Sequence, residues 1–425
     1  MKPPSLLVLA AACGVLVAAD WPQFRGPERD DISKETGLLK TWPAGGPKLL
    51  WTNDQAGLGY SGPAVVGERL YTMGARDKTE YVYALDTRNG KEIWVAPVGE
   101  TFTFKGNNWG DGPRATPTVD GELLYALGGQ GELVCVETAT GKERWRKSMT
   151  KDLKGGVSLL GGASWGYSWS PLVDGDQVIC VPGGSQGTLA ALNKKTGEVI
   201  WRSQGLTDPA PYASPLARGS GNDRQYIQLV DHGVAGVAAK DGRVLWDYHR
   251  KPHYNDVVIP TPVIQDNEVY TATVDGCDLV KVSEAAKGLE AVKVYGTNKM
   301  KNVLGGFVLL DGKVYGYFEG KGWTCQDFKT GQITWSSKAL GKGSLTCADG
   351  RLYCYTEDDG IVALAEPNAK AWKPAGRFEI PRKSKFHPPD GEQFPGGKVW
   401  THPVVANGRL YLRDQELIFC YDVKK

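Results

Sequence analysis

The chain has 425 residues, with 55 Gly, 25 Pro and 14 Trp, 41% apolar and 23% charged residues. Gly is nearly twice its usual ~7% share, yet Gly plus Pro stays below the ~25–30% of low-complexity chains, so disorder and a coiled coil are excluded. Fifty basic against 48 acidic residues leave a net charge of +2 with no basic patch, which excludes strong electrostatic binding to nucleic acid.

In chain order, Met1-Lys2 precedes an apolar run from Ser5 to Val17, and Val17-Ala18-Ala19 supplies small residues before Asp20. Residues 1–19 read as a secretory signal peptide, because the run is too short to span a bilayer. Lipoprotein cleavage before Cys13, in Leu9-Ala10-Ala11-Ala12-Cys13, is one alternative, and an uncleaved anchor is another. No later stretch is long and apolar enough to span a membrane, so the mature chain is expected to be secreted or periplasmic. Residues 20–46 read as an N-terminal extension, and 47–425 as a single ring of repeats.

The repeat begins with a small residue, Pro, an apolar run, an Asp-Gly-type turn and a second apolar strand. Gly62-Pro63 leads to Tyr71, Thr116-Pro117 to Tyr125, Ser170-Pro171 to Ile179, Thr261-Pro262 to Tyr270 and His402-Pro403 to Tyr411. Each landmark lies eight residues after the Pro. Gly306-Phe307 to Tyr315 and Ser344-Leu345 to Tyr353 keep the spacing without the Pro, and Ser214-Pro215 to Ile227 carries a four-residue insert. A second line follows, as in Ala84-Leu85-Asp86 then Asn89-Gly90-Lys91-Glu92-Ile93-Trp94. It ends again at Trp145, Trp201, Trp246 and Trp335, with Gly four residues before each Trp, and degenerates near Val294 and Trp372. One copy is four short strands joined by hairpin turns. A single sheet leaves both faces open, so copies must stack, and this period means a propeller. Eight copies predict an all-β, eight-bladed β-propeller of four-stranded antiparallel blades. The last copy stops at Cys420-Tyr421-Asp422-Val423 with no fourth strand. Pro47-Lys48-Leu49-Leu50-Trp51 has the pattern of that strand, so it is expected to pair into the last blade and close the ring.

Beyond Cys13 the seven cysteines sit in strand-like runs, odd in number and without a C-x-x-C pair. Buried free thiols are expected.

The Ala-Leu-Asp-x-x-x-Gly-Lys-x-x-Trp line resembles the repeat of quinoprotein (PQQ-type) β-propellers over essentially the whole mature chain. That superfamily includes eight-bladed PQQ-dependent alcohol dehydrogenases and the outer-membrane assembly lipoprotein, which has the repeat and no cofactor. The opening Asp20-Trp21-Pro22-Gln23-Phe24-Arg25-Gly26-Pro27 is similar to the start of secreted bacterial PQQ-like repeat proteins. The resemblance is specific for fold and weak for function, because the repeat Trp docks blade to blade.

Chemistry belongs on the long loops that enter the inner strands, since these converge above the channel. They carry Asn107, Trp109 and Asp111; Trp165, Tyr167 and Trp169; His253 and Asp256; and His387. With Trp323 and Trp400, the aromatic residues on these loops read as one candidate ligand face, or as a hydrophobic plug. Arg114 at the channel mouth could hold an anion or pair with Asp111. His402 stands where other copies have a small residue, so it is the odd member of the inner ring. Asp111 and Asp256 are the acids best placed as a base, or are loop caps. No metal site is assigned, because the histidines show no ligand spacing. PQQ and calcium belong only to a dehydrogenase reading, which lacks an adjacent Cys pair and a haem-attaching motif here. No elbow, metalloprotease or phosphate-loop signature occurs.

Two classes stay open. One is a binding scaffold, monomeric, using the loop face for a protein partner or a glycan-like ligand; an outer-membrane assembly factor-like lipoprotein is its variant. The other is an atypical PQQ-dependent alcohol dehydrogenase.

Overall fold

The computed structural model describes residues 19–103, 111–160, 163–251, 255, 258–286, 288–386 and 397–425. The signal-peptide reading of the first residues lies outside them.

Eight blades, each of four antiparallel strands, form the ring. Their inner strands are Ala64–Val66, Thr118–Asp120, Leu172–Asp174, Leu216–Arg218, Val263–Gln265, Phe307–Leu310, Gly343–Ala348 and Val404–Ala406, here blades 1 to 8. In blades 1 to 7 the four strands follow one another in sequence, and blade 7 gains a fifth, parallel strand from the N-terminal segment. In blade 8 the outer strand is Lys48–Asn53, antiparallel to Leu417–Asp422. The ring is therefore closed by the N-terminal strand, as the missing fourth strand of the last copy requires.

Blade-to-blade docking explains the repeat line. The indole N–H groups of Trp51, Trp94, Trp145, Trp201 and Trp335 each donate to a carbonyl of the next blade, at 2.6 to 3.0 Å. Gly90, Gly141, Gly197 and Gly242, each four residues before a repeat Trp, have positive φ and pack beneath the indole of the preceding blade, and Gly331 packs likewise beneath Tyr295. A Cβ at Gly141 would meet the Trp94 ring at 2.6 Å, and one at Gly197 the Trp145 ring at 2.8 Å. Only Gly combines that approach with that backbone.

The two degenerate copies are filled differently. In blade 5 Tyr295 replaces Trp, and its hydroxyl donates to Phe328 O at 2.8 Å. In blade 7 Gly376 stands at the Trp register. Trp42, from the N-terminal extension, fills the gap, edge-on to Tyr353 and Phe378. Trp372 is not the docking residue; it stacks on Trp323 instead.

The inner position of the repeat also acquires a role. The Thr116 N–H donates to Ser170 Oγ, Ser170 N–H to Ser214 Oγ and Ser214 N–H to Thr261 Oγ1, at 2.9 to 3.2 Å. Each hydroxyl thus satisfies an amide of the preceding blade.

A propeller leaves its inner strand edges unpaired around the channel. Here the N-terminal segment lies against all eight. Trp21 exchanges both backbone bonds with Val65 of blade 1, and Pro22 O accepts from Val119 N–H of blade 2. Arg29 donates to Ser170 O, Pro171 O and Pro215 O of blades 3 and 4. Arg25 donates to Thr261 O and Phe307 O of blades 5 and 6. Ile32–Ser33 pairs in parallel with Cys347–Ala348 of blade 7, and Ser33 Oγ donates to Val405 O of blade 8. Arg25, Arg29 and Asp31 all have positive φ, a strained backbone held by these contacts.

The seven described cysteines are free and buried. No described helix is long and apolar enough to cross a membrane.

Candidate functional site

At the loop end of the channel, above the N-terminal segment, lies a cavity of about 520 Å³. Its floor is Trp21, Phe24 and the Arg25–Asp31 ion pair, closed at 2.5 Å and almost fully buried. His402 adjoins it. Its Nδ1 lies 3.1 Å from the Asp31 carboxylate, and its ring packs on Phe24 at 5.7 Å. Burial alone would raise the Asp31 carboxyl; the His402 and Arg25 charges overrule it and hold the group below its usual range. A Cβ on Gly306, at φ +63°, would meet the His402 ring at 2.9 Å. The glycine there makes room for the one large residue of the inner ring.

One wall is aromatic and cationic. Glu80, fully buried, accepts from the Phe102 N–H at 3.0 Å and the Gly129 N–H at 2.8 Å, which ties the loop entering blade 2 to the ring. Phe102 then lies under Arg114, whose guanidinium also sits 5.2 Å over the Tyr60 ring. Arg114 donates to Gly112 O at 2.8 Å. Tyr60 stacks on Trp400 with ring centres 4.7 Å apart. Trp400 in turn donates to Glu357 Oε2 at 3.2 Å. Lys342 and Lys398 flank Glu357 at 3.5 and 3.7 Å. Burial raises the Glu357 carboxyl and the two lysines oppose it, with a net rise. Leu160, Trp165, Ile259, Val303 and Leu304 add an apolar lining. Trp165 is held edge-on to Tyr212, whose hydroxyl accepts its backbone N–H at 3.0 Å.

Of the residues singled out in the sequence, Arg114, Trp165, Trp400 and His402 meet in this cavity. Asp111 is half-buried beside it, and its charge acts on Arg114. Asn107, Trp109, His253, Asp256 and His387 lie outside the described residues. Tyr167, Trp169 and Trp323 are corrected from ligand face to core. Tyr167 and Trp169 pack between blades 2 and 3, at 3% and 0% exposure, and Trp323 between blades 6 and 7 at 2%. They begin where loops meet strands, and adjoining blades cover them. The sequence reading missed Phe24, Arg25 and Asp31 of the floor, and Tyr60, Lys342 and Lys398 of the wall. The conspicuous Trp21-to-Pro27 motif was the available signal for the floor.

The described cavity residues offer rings and cations to a flat polyanion such as PQQ. They do not fit its calcium. Asp31 is engaged by Arg25 and His402, and Glu357 by Lys342, Lys398 and Trp400. The described cluster of ligating atoms close enough for a metal, His232, Asp247 and His249, is not among the cavity-lining residues.

Ring size, repeat line and channel geometry define an eight-bladed propeller of the PQQ-like repeat class. The family model described as outer membrane protein assembly factor BamB matches residues 78–336, more than half of the chain, and the chain belongs to that family. The BamB of Yersinia pestis is 22% identical over 402 residues, 91% of this chain and 81% of that protein. The quinohemoprotein alcohol dehydrogenase ADH IIB of Pseudomonas putida is 32% identical over 150 residues, 33% of this chain and 21% of that enzyme. Among solved structures, quinohemoprotein alcohol dehydrogenase ADHIIG from Pseudomonas putida HK5 aligns with a TM-score of 0.64 at 13% identity. The alignment covers 96% of this chain and 80% of that one, a likeness of fold.

Proposed function

We propose that this protein is an exported, monomeric binding propeller whose loop-face cavity takes a glycan-like ligand carrying an acidic group. One observation carries the reading: the half-buried Trp165 lines the same cavity as the cations Arg114, Lys342 and Lys398, above a floor fixed to every blade. Sugar rings stack on indole faces, and a carboxylate pairs with guanidinium or ammonium groups. Its size is that of a small-molecule site. Export is supported by the apolar leader of the sequence. A protein partner on the same face, as the relatives' assembly role suggests, is the alternative within this class.

The PQQ-dependent dehydrogenase reading draws on the 32% identity to one such enzyme, and the pairing of Asp31 and Glu357 with cations weighs against a calcium ion in this cavity. The test is melting of the purified full chain with acidic and neutral oligosaccharides, and separately with PQQ plus calcium. A ligand of the native state must raise Tm. A rise with acidic sugars alone supports the proposal. A rise with PQQ, accompanied by alcohol-dependent dye reduction, replaces it with the dehydrogenase. No rise in either arm leaves the protein-partner alternative and removes the small-ligand reading.

A further inference from the structure

Away from the central cavity, blade 4 carries three ligating side chains on its loop end. His232 sits in the turn between the second and third strands, Gln225–Val230 and Gly233–Ala238. Asp247 and His249 alternate on the outer strand Val244–His249, so both project from one face of the sheet. His232 Nε2 lies 2.7 Å from Asp247 Oδ1, and His249 Nε2 lies 3.0 Å from Asp247 Oδ2. The two imidazoles stack nearly parallel, with ring centres 4.2 Å apart. One ligand atom from each of the three residues falls within 4.8 Å of the others.

A second observation comes from a different element. The loop leading from blade 3 into blade 4 brings Asp208 to the far side of His232, with Oδ1 2.8 Å from Nδ1. The Asp208 carbonyl is itself pinned by the Gly184 N–H and by Thr188 Oγ1, both at 2.9 Å. A carboxylate holding Nδ1–H orients the ring and aims Nε2 at Asp247, where loss of its proton would free the lone pair for a metal. That is the outer-sphere arrangement that orients metal-bound histidines. The cluster is served from the scaffold, not from a mobile surface chain: His232 and Asp208 side chains are 15% and 13% exposed. His249, at 55%, gives access from solvent.

We infer that His232, Asp247 and His249 form a binding site for zinc, with Asp208 as the outer partner of His232 and water as the fourth ligand. Two imidazoles and one carboxylate suit zinc, whereas calcium and magnesium demand oxygen ligands. Tetrahedral zinc with bonds of about 2.0–2.1 Å needs the two nitrogens about 3.3–3.4 Å apart, so the exposed His249 ring must rotate out of its stack on His232 to share the ion. The metal would take the place of the protons now shared with Asp247. It would tie the blade 3–4 loop, through Asp208 and His232, to the outer strand of blade 4. The sequence shows no such spacing because the ligands come from a turn and a strand separated by a hairpin.

The test is direct titration of the untagged, chelator-treated full chain with zinc against a chromophoric indicator at pH 7.5. Cobalt(II) spectroscopy then reports the coordination geometry. One zinc per chain and tetrahedral cobalt bands are expected. His249→Ala, which removes a half-exposed ligand and leaves the apo fold's Tm unchanged, should weaken binding at least 100-fold. Asp208→Asn should weaken it 10–100-fold, a loss that a merely structural aspartate would not produce. Absence of stoichiometric binding overturns the inference. Zinc binding that His249→Ala leaves intact overturns it equally, since the metal is then elsewhere.

Discussion

Glu80 shows how a single buried group sets the site. It is fully buried, and its two oxygens each accept a backbone N–H from the blade 2 loops. Burial raises its pKa to about 7; the two N–H bonds and Arg114 act against that rise and are outweighed. An acid whose folded pKa is raised holds a proton that the unfolded chain has already released. Its contribution to stability is therefore greatest below the unfolded value near 4.5 and declines as pH rises through about 7. At about 1.4 kcal/mol per unit the loss between pH 4.5 and 8 is about 3 kcal/mol. In urea unfolding at pH 5 and pH 8, Glu80→Gln should lack most of that decline. A variant with the wild-type slope would show that Glu80 does not titrate there. Arg29 makes a second case. Among the described residues no carboxylate forms an ion pair with it, and burial lowers its pKa, with the Arg25 charge adding to the effect. It donates to backbone carbonyls of blades 3 and 4 and to Gln23 Oε1. Arg29→Met should leave these buried acceptors unpaired and cost about 3 kcal/mol, read as a shift in the urea midpoint at unchanged slope.

At the scale of elements, strands and turns were the legible part. The spacing of eight between Pro and the second strand is a two-residue hairpin, and Asp311-Gly312 takes the positive φ at both positions that such turns need. The closing strand was legible because one end of the chain lacked a fourth strand and the other carried a spare. The channel segment was not. Arg25 bonds carbonyls 236 and 282 residues away, and a backbone acceptor has no side-chain signature. Trp42 was missed because its function is defined by a vacancy at Gly376, on another blade. Trp42→Ala should open a cavity between blades 7 and 8 and cost about 3–5 kcal/mol. Thermal unfolding would check this. Trp372→Ala, by comparison, removes a ring that is only partly buried and should cost less. An equal cost would place Trp372 in the docking role after all.

For the whole molecule, eight blades were legible and the site only in part. The reason lies in the backbone path. Trp165, Tyr167 and Trp169 alternate in sequence, and alternation alone would put them on one side. Gly166, at φ +72°, reverses the chain, and the Tyr167 N–H then binds Gly129 O at 2.9 Å. Trp165 is left in the cavity while its two neighbours enter the core. The floor likewise appears only once the ring is closed around the N-terminal segment. Closure is double: Lys48–Asn53 completes blade 8, and the fully buried Arg413 of blade 8 donates to Ser61 O and Thr72 Oγ1 of blade 1 at 2.7 Å. A ring so joined should unfold as one cooperative unit. The claim on which the functional account rests is that ligand enters between Trp165 and Arg114. Calorimetric titration of the acidic oligosaccharide that most raises Tm, against wild type, Trp165→Ala and Arg114→Gln, measures it most directly. The account expects each variant to fold and to lose at least tenfold in affinity, with Arg114→Gln losing its preference for the acidic over the neutral sugar. Unchanged affinity in both folded variants would contradict it and move the binding surface off the cavity.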